Sequence, residues 1–316
     1  GGIIAFIDKN FKLPQVLRTS LAADFRLPLD MVLTLEAIHT KDINAVRFVN
    51  INMKPAEGTV KEGDLTRPYW TNSTSATKYQ TSPYTDVIKM TNTNKGQGLL
   101  LSAQLTVPNY YGFSGTVGYS YSYADELTAK SGSDPFSAWQ YRHVTNSLNS
   151  DEVGLTYNNT PHRITVGANY QIDYAKHFKS TFSLFYSGYS GSAFSYIYSN
   201  DANKDGSVSD LMYIPKTKED FVWKNGDADA EAYFAYAAQD PYLSKNAGKY
   251  AMRYASYEPF YNRVDFRFLQ DFYINVAGEK NTLQLSLDVL NIPNLLNSSW
   301  GINQYYIGSN NQVTPL

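Results

Sequence analysis

One loop of the chain carries side-chain oxygens at the spacing that calcium-binding loops use. Acidic or amide side chains stand at positions 1, 3 and 5 of this loop, and a glycine stands at position 6. This pattern matches the first half of an EF-hand loop, in which the residue at position 7 adds its backbone carbonyl. The sequence therefore predicts a candidate calcium site formed by Asp201, Asn203, Asp205, Ser207 (through its carbonyl) and Asp210.

The same loop departs from the EF-hand pattern at its end. Met212 stands at position 12, where an EF-hand has a bidentate glutamate. Asp210 is the carboxylate that would take its place in a tighter loop. The alternative is a surface turn without metal, because Asp and Asn side chains readily accept hydrogen bonds from their own backbone. Both interpretations stay open, and Ca²⁺ is the one cofactor that the sequence suggests.

Other chemically active residue types do not cluster along the chain. The four histidines (His39, His143, His162 and His177) include no pair four residues apart, so a zinc site is not predicted. The chain has no cysteine, which excludes disulfides and thiolate metal sites. No nucleophile motif, phosphate-binding loop or paired-carboxylate motif is present. We therefore expect a protein that is not an enzyme.

Composition restricts the class of protein further. The 316 residues carry a net charge of -2 and no basic patch, which argues against nucleic acid as a partner. No apolar run is long enough for a transmembrane helix. A mean hydropathy of -0.39 is still compatible with a membrane barrel, because strands of alternating polarity average to a mildly polar value. The 27 tyrosines suit a membrane interface, where the ring meets lipid and the hydroxyl meets headgroups.

The candidate calcium loop must be positioned by β-strands, in which apolar and polar residues alternate strictly. In the clearest one, from Phe113 to Asp125, the odd positions are mainly aromatic or apolar and the even positions are Ser, Thr or Gly. Successive strand side chains point to opposite faces, so this strand has one apolar and one small polar face. The same period predicts about nine strands, at residues 16–26, 31–50, 99–107, 113–125, 163–172, 178–189, 262–272, 283–289 and 300–307.

The connections between these strands alternate between short and long. The long ones lie near residues 51–84, 126–161 and 190–261, and short turns separate the strands in between. Outer-membrane barrels have this rhythm, with short periplasmic turns and long extracellular loops. We predict an all-β, antiparallel up-and-down transmembrane β-barrel. A soluble β-sandwich is the alternative, although its strands are typically only about five or six residues long.

The longest connection is rich in aromatic residues. Tyrosines and phenylalanines recur throughout residues 190–261. Aromatic loop residues form ligand-binding surfaces in antibody paratopes. They also pack long loops against each other, and the sequence favours neither role.

Several short motifs carry a resemblance to a known family. They are Phe11-Lys12-Leu13-Pro14-Gln15-Val16, Asp201-Ala202-Asn203-Lys204-Asp205-Gly206 with Asp210-Leu211-Met212-Tyr213, Tyr257-Glu258-Pro259-Phe260-Tyr261-Asn262-Arg263, and Leu290-Asn291-Ile292-Pro293-Asn294-Leu295. Together they resemble the barrel of TonB-dependent outer-membrane receptors, in particular the Oar-like branch common in Bacteroidetes.

The resemblance implies more than this chain contains. Such receptors have about 22 strands around an N-terminal plug domain, and they are energised through TonB, ExbB and ExbD. About nine strands would then be the C-terminal portion of a larger barrel, with the lipid bilayer, the missing plug domain and the remaining barrel strands as partners. The function implied is active transport of a large ligand, inward or outward, across a bacterial outer membrane. The alternative is a soluble, Tyr-rich β-sandwich that acts as a binding module or adhesin.

Overall fold

Eight long strands form one antiparallel meander. The computed structural model describes residues 2–71, 79–80, 83–128, 132–305 and 312–315. Within them, each long strand pairs with the next long strand along the chain. The eight strands are β2 (Gln15–Arg26), β3 (Val32–Asn50), β7 (Gly96–Tyr110), β8 (Phe113–Glu126), β10 (His162–Tyr174), β11 (Phe178–Tyr189), β14 (Tyr261–Val276) and β15 (Glu279–Val289).

Shorter elements lie mainly in the connections between these strands. The short strands are β1 (Ile3–Ile7), β4 (Gly58–Glu62), β5 (Leu65–Tyr69), β6 (Asp86–Thr93), β9 (Gly154–Leu155), β12 (Ala193–Tyr196), β13 (Ser256–Tyr257) and β16 (Gln312–Val313). The helices are α1 (Pro135–Gln140), α2 (Asp227–Gln239), α3 (Pro241–Lys245) and α4 (Pro293–Leu296), with 3₁₀ turns at Pro28–Asp30 and Lys218–Asp220. Within the described residues, no helix has the length and apolar character needed to cross a membrane.

One face of the meander is apolar and open. The register places Val117 opposite Val166 and Leu184 opposite Phe266, so apolar side chains form rows across neighbouring strands. Val117 and Leu184 are each about half exposed, at 46% and 49%. The buried apolar side chains of the described residues all lie outside the eight long strands. A sandwich would bury this face against a second sheet, so the sandwich alternative is wrong.

The opposite face carries small polar side chains and ion pairs. Arg263 pairs with Asp265 at 2.8 Å, and Arg267 pairs with Asp288 on the next strand. Such a face suits a wet barrel lumen, in which polar groups keep contact with water. The predicted alternation of apolar and polar positions is therefore present in the folded sheet.

Tight turns join the long strands at one end of the sheet. Tyr111 and Gly112 both have positive φ, as do Ala277 and Gly278. Consecutive left-handed residues match the right-handed twist of the flanking strands and close two-residue hairpins. Gly112 is needed for a second reason, because a Cβ there would lie 2.2 Å from the carbonyl oxygen of Gln171.

The strand count differs from the expected number. The residues described at 300–305, in the predicted ninth strand, are turn or irregular, and the rest of that segment lies outside the described residues. The short helix α4 follows β15 instead, because a proline occupies its first turn and starts a helix. Within the described residues, β2 pairs only with β3 and β15 pairs only with β14, so the meander has two open edges.

The long connections contain buried clusters of their own, and β6 of the first connection also pairs with β3 of the main sheet. We call the described parts of residues 51–95, 127–161 and 190–260 the cap. Among the residues that the structure describes, two hydrophobic clusters lie in the cap, one around Tyr196, Met212 and Ile214 and one around Trp70 and Trp139. The long loops are thus folded around hydrophobic clusters of their own.

Candidate functional site in the cap

The predicted calcium loop is a buried turn of the cap. Asn203, Asp205, Ser207 and Asp210 are almost completely buried, and Asp201 is half-buried. The five predicted residues therefore come together in one place, as the spacing suggests. A surface turn would leave most of them exposed.

Hydrogen bonds to the backbone shape this loop. Asp201 accepts from the amides of Asp205 (3.0 Å) and Gly206 (2.8 Å) through its two carboxylate oxygens. Asn203 also accepts from the amide of Asp205, at 2.9 Å. Asp205 in turn accepts from the amide of Ser207, at 2.9 Å. These contacts are the nested Asx turns that the sequence offered as the alternative.

A cation of the protein itself occupies the far end of the loop. Asp210 accepts from the amide of Ala202 at 2.8 Å and lies 3.3 Å from the guanidinium of Arg67. Burial, and then the charge of Asp205, raise the pKa of Asp210 above its ordinary value, against the opposing effect of Arg67. Within the described residues, no group of three or more His, Cys, Asp or Glu side chains has a metal-holding arrangement. Calcium binding stays a prediction.

Arg67 lies where all three long connections meet. Its guanidinium is fully buried and reaches Glu62 in its own hairpin at 2.9 Å. It also donates to the carbonyl of Thr145 in the second connection, at 2.9 Å, and to the carbonyl of Leu211 in the third. One side chain thus joins segments that are far apart in sequence.

Aromatic rings enclose this guanidinium. Its carbon lies 5.3 Å from the ring centre of Tyr198 and 4.9 Å from that of Tyr250. Burial opposes the charge of Arg67, but Glu62 and Asp210 favour it, and the balance raises the pKa of Arg67. The buried charge of Arg67 is compensated by the carboxylates of Glu62 and Asp210 and by the carbonyls of Thr145 and Leu211.

Sequence reasoning missed Arg67, although a signal for its position existed. Gly63 and Asp64 separate β4 from β5, and a Gly-Asp pair between two short runs is a hairpin signal. Gly63 has a φ of 55°, and a Cβ there would overlap the hydroxyl of Tyr213. This tight turn therefore packs directly onto the third connection and inserts Arg67 into the cap.

Two further buried arginines hold the cap through backbone carbonyls. Arg142 and Arg253 both donate to the carbonyl of Leu127, at 3.4 and 3.2 Å. Burial, together with the nearby charge of Arg253, lowers the pKa of Arg142 to about 10. His143 lies beside them, 2.8 Å from the hydroxyl of Ser195. Burial, and then Arg253, lower the pKa of His143 to about 4.

An aromatic cavity of about 1130 Å³ opens next to this junction. Trp223 and Tyr233 form part of its wall, with ring centres 5.6 Å apart, and Phe221 lies 6.0 Å from Trp223. The indole N–H of Trp223 already donates to the carbonyl of Lys218 at 2.7 Å. The ring of Trp223 also packs against Phe221 and Tyr233, and its remaining exposed apolar surface forms part of the cavity wall.

The aromatic residues of the third connection pack against one another and also line the cavity, while ligand binding by these rings stays a prediction. Tyr196 is fully buried and donates to Asp240 at 2.6 Å, while the neighbouring hydroxyl of Tyr233 has no partner within the described part of the chain. Tyr236 and Trp223 are partly buried and line the cavity. Tyr233 belongs to both groups, because it is buried in the cluster around Tyr196 and also lines the cavity.

Comparison with known families agrees with this architecture. The family model described as "Outer membrane beta barrel domain" matches residues 1–310. The chain belongs to this family. The open apolar face of the outer membrane beta barrel domain is therefore the face that meets lipid, and the polar face with its ion pairs lines the lumen. The all-β barrel fold and the location in the bacterial outer membrane, both predicted from the sequence, are confirmed.

One of the solved structures to which this chain is similar is a much longer protein. It is the outer membrane transporter YddB from Escherichia coli, which superimposes with a TM-score of 0.43 and 10% sequence identity. The match covers 92% of this chain but 30% of that transporter, so the chain spans about a third of its length. No curated protein matches the sequence.

Proposed function

We propose that this barrel domain is the C-terminal part of a TonB-dependent receptor of the Oar-like branch, which moves a large ligand across the outer membrane. The observation that carries the proposal is the pair of open edges, at β2 and at β15, of the eight-strand meander, which belongs to an 11-stranded sheet. Unpaired backbone groups at a sheet edge are not tolerated in lipid. Further strands of the receptor would pair with β2 and β15 and close the barrel.

The two faces and the cap fit the same role. The polar face of the sheet, with its ion pairs, would contribute to the wall around a separate plug domain. On the long-loop side, which is extracellular in bacterial barrels, the cap presents a cavity lined by aromatic residues. Capture by the cap would be followed by a TonB-driven rearrangement of the plug.

Binding to TonB tests energy coupling directly. The complete receptor, purified in detergent, should bind the periplasmic domain of TonB from the same bacterium. A matched receptor that lacks the residues before its barrel should not bind. If the complete receptor shows no binding, TonB dependence is wrong.

Transport can be tested without a known ligand. Strains that lack the receptor or TonB are grown beside the parent strain, and the compounds left in the spent medium are compared by mass spectrometry. The proposal expects at least one compound that both mutants fail to take up, or that both retain. Mutants whose media match that of the parent strain would contradict it.

A second proposal concerns the buried loop at residues 201–210. We retain Ca²⁺ as its ligand because the five predicted residues converge in the structure and four of them are almost fully buried. Titration of the complete receptor with calcium chloride should show saturable binding that Asp205→Asn abolishes. The exposed carboxylate of Asp227 supplies the control, since Asp227→Asn should bind normally. No binding at millimolar calcium would refute this proposal.

A further inference from the structure

The aromatic cavity of the cap has walls that suit a flat, partly apolar ligand. Tyr236 and Trp223 are partly buried there, and Tyr305 is 68% exposed, so ring faces are available to a ligand. Aromatic faces attract flat apolar surfaces and the C–H groups that such surfaces carry. A cavity of about 1130 Å³ admits several rings rather than one small molecule.

The charged groups at this cavity are already compensated. Glu62 accepts from the hydroxyl of Tyr198 at 2.6 Å and pairs with Arg67 on its other oxygen. Hydrogen bonds from Asn225, and the nearby charge of Lys224, lower the pKa of Asp229. Lys224, which also lines the cavity, carries the charge opposite to that of Asp229, so the cavity offers a ligand little net charge.

Neutral polar groups stand at the same opening. Ser199 and Asn200 line the cavity and are exposed. Their side chains can both donate and accept hydrogen bonds. This combination of ring faces and neutral polar groups complements a molecule that has apolar faces and a rim of hydroxyl groups.

A peptide would be recognised differently. Extended peptides add a strand to a free sheet edge and gain affinity from main-chain hydrogen bonds. The nearby strand β12 pairs with β13 through Ala193 and Phe194, and with β16 through Ser195 and Tyr196. This three-stranded sheet leaves neither edge of β12 free for such an addition.

We propose that the aromatic cavity binds a free, uncharged oligosaccharide, whose sugar rings stack on Trp223 and Tyr305 while its hydroxyl groups meet Ser199 and Asn200. A pyranose ring has an apolar C–H face and a hydroxylated rim, which matches both sets of groups. The inference rests on the proposed capture role of the cap, because it names the class of ligand that the cap would take.

Calorimetry on the complete receptor in detergent tests the inference. The probes are four neutral oligosaccharides (maltoheptaose, cellohexaose, xylohexaose and mannohexaose), the acidic hexamer of galacturonate, and a Phe-rich tetrapeptide. At least one neutral probe should bind. Trp223→Ala should weaken that binding about tenfold or more, because one stacking ring is lost, and Trp223→Phe should restore most of it.

Two further variants separate stacking from damage to the fold. Tyr305→Ala should also weaken binding, and this exposed ring can be removed without opening a core. Trp300→Ala removes an exposed indole outside the cavity and should bind as the unmodified receptor does. The inference is overturned if no neutral probe binds, if only the acidic hexamer or the peptide binds, or if binding survives both Trp223→Ala and Tyr305→Ala. Binding of the TonB domain, measured on the same preparation, shows separately whether the receptor proposal fails.

Discussion

Replacement of Arg67 by methionine should loosen the cap and leave the barrel strands unchanged. The change keeps a long side chain but removes a buried cation and its contacts with Glu62, Asp210 and the carbonyls of Thr145 and Leu211. Two buried carboxylates would then face each other without a counter-charge. Removal of one member of a buried ion pair costs about 3–5 kcal/mol.

Hydrogen exchange read by mass spectrometry measures this cost locally. Every 1.4 kcal/mol changes an equilibrium about tenfold, so a cost of about 3–5 kcal/mol should make cap amides that exchange by opening of the cap exchange about a hundredfold to a few thousandfold faster in Arg67→Met. Peptides from β8, β10 and β11 should keep their rates, because their hydrogen bonds lie within the sheet.

A matched control comes from an exposed ion pair in the same cap. Lys218 lies 3.2 Å from Asp227, and both side chains are exposed. Exposed pairs contribute little to stability, so Lys218→Met should show no measurable change in exchange. Equal exchange rates in Arg67→Met and the unmodified protein would refute the role of Arg67 as the junction of the three connections.

Three further predictions follow from individual residues. The pKa of His143 is lowered to about 4 in the folded cap but is about 6.5 in the unfolded chain, so the unfolded chain takes up a proton first as the pH falls. Hydrogen exchange, corrected for intrinsic rates, should therefore show that the stability of the cap is constant above about pH 7 and falls towards pH 4. His143→Gln should remove this pH dependence. Tyr196→Phe should destabilise the cap by about 1–3 kcal/mol because a buried carboxylate loses its donor, whereas Tyr233→Phe, whose hydroxyl has no partner in the described chain, should be neutral or stabilising in the same exchange assay. Gly112→Ala should reduce the heat-modifiable folded band on gels far more than Gly278→Ala, since both glycines have positive φ but only the first would press a Cβ onto a carbonyl; equal losses would contradict this reasoning.

The barrel strands were predictable because their pattern is local. The run from Phe113 to Asp125 shows its two faces in sequence, and β8 occupies Phe113–Glu126 in the structure. The short turns were equally visible, because each of them directly follows the alternating run of a strand. The period of two needs no distant partner, and the strand Met31–Asn50 was therefore placed within one residue of β3.

The cap was not predictable because its contacts are distant in sequence. Arg67 meets Thr145 across 78 residues and Asp210 across 143 residues, and no single-segment pattern encodes such pairs. The spacing of Asp201, Asn203 and Asp205 indicated a loop of side-chain oxygens, but neither its burial nor the neighbouring guanidinium of Arg67 was visible in the sequence. The sequence showed which residue types each connection contains, but it did not show how the three connections pack together.

The accessibility of each position of the strand Phe113–Asp125 to oxygen and to a water-soluble reagent tests most directly whether the apolar face of the sheet meets lipid. Because the chain has no cysteine, single cysteines can be placed at each position from 113 to 125 and spin-labelled in a receptor reconstituted in lipid. The account predicts a period of two, in which labels at odd positions meet oxygen dissolved in the bilayer and labels at even positions meet a water-soluble nickel reagent. Odd positions that are reached by the nickel reagent, or by neither reagent as in a packed protein core, would contradict the account.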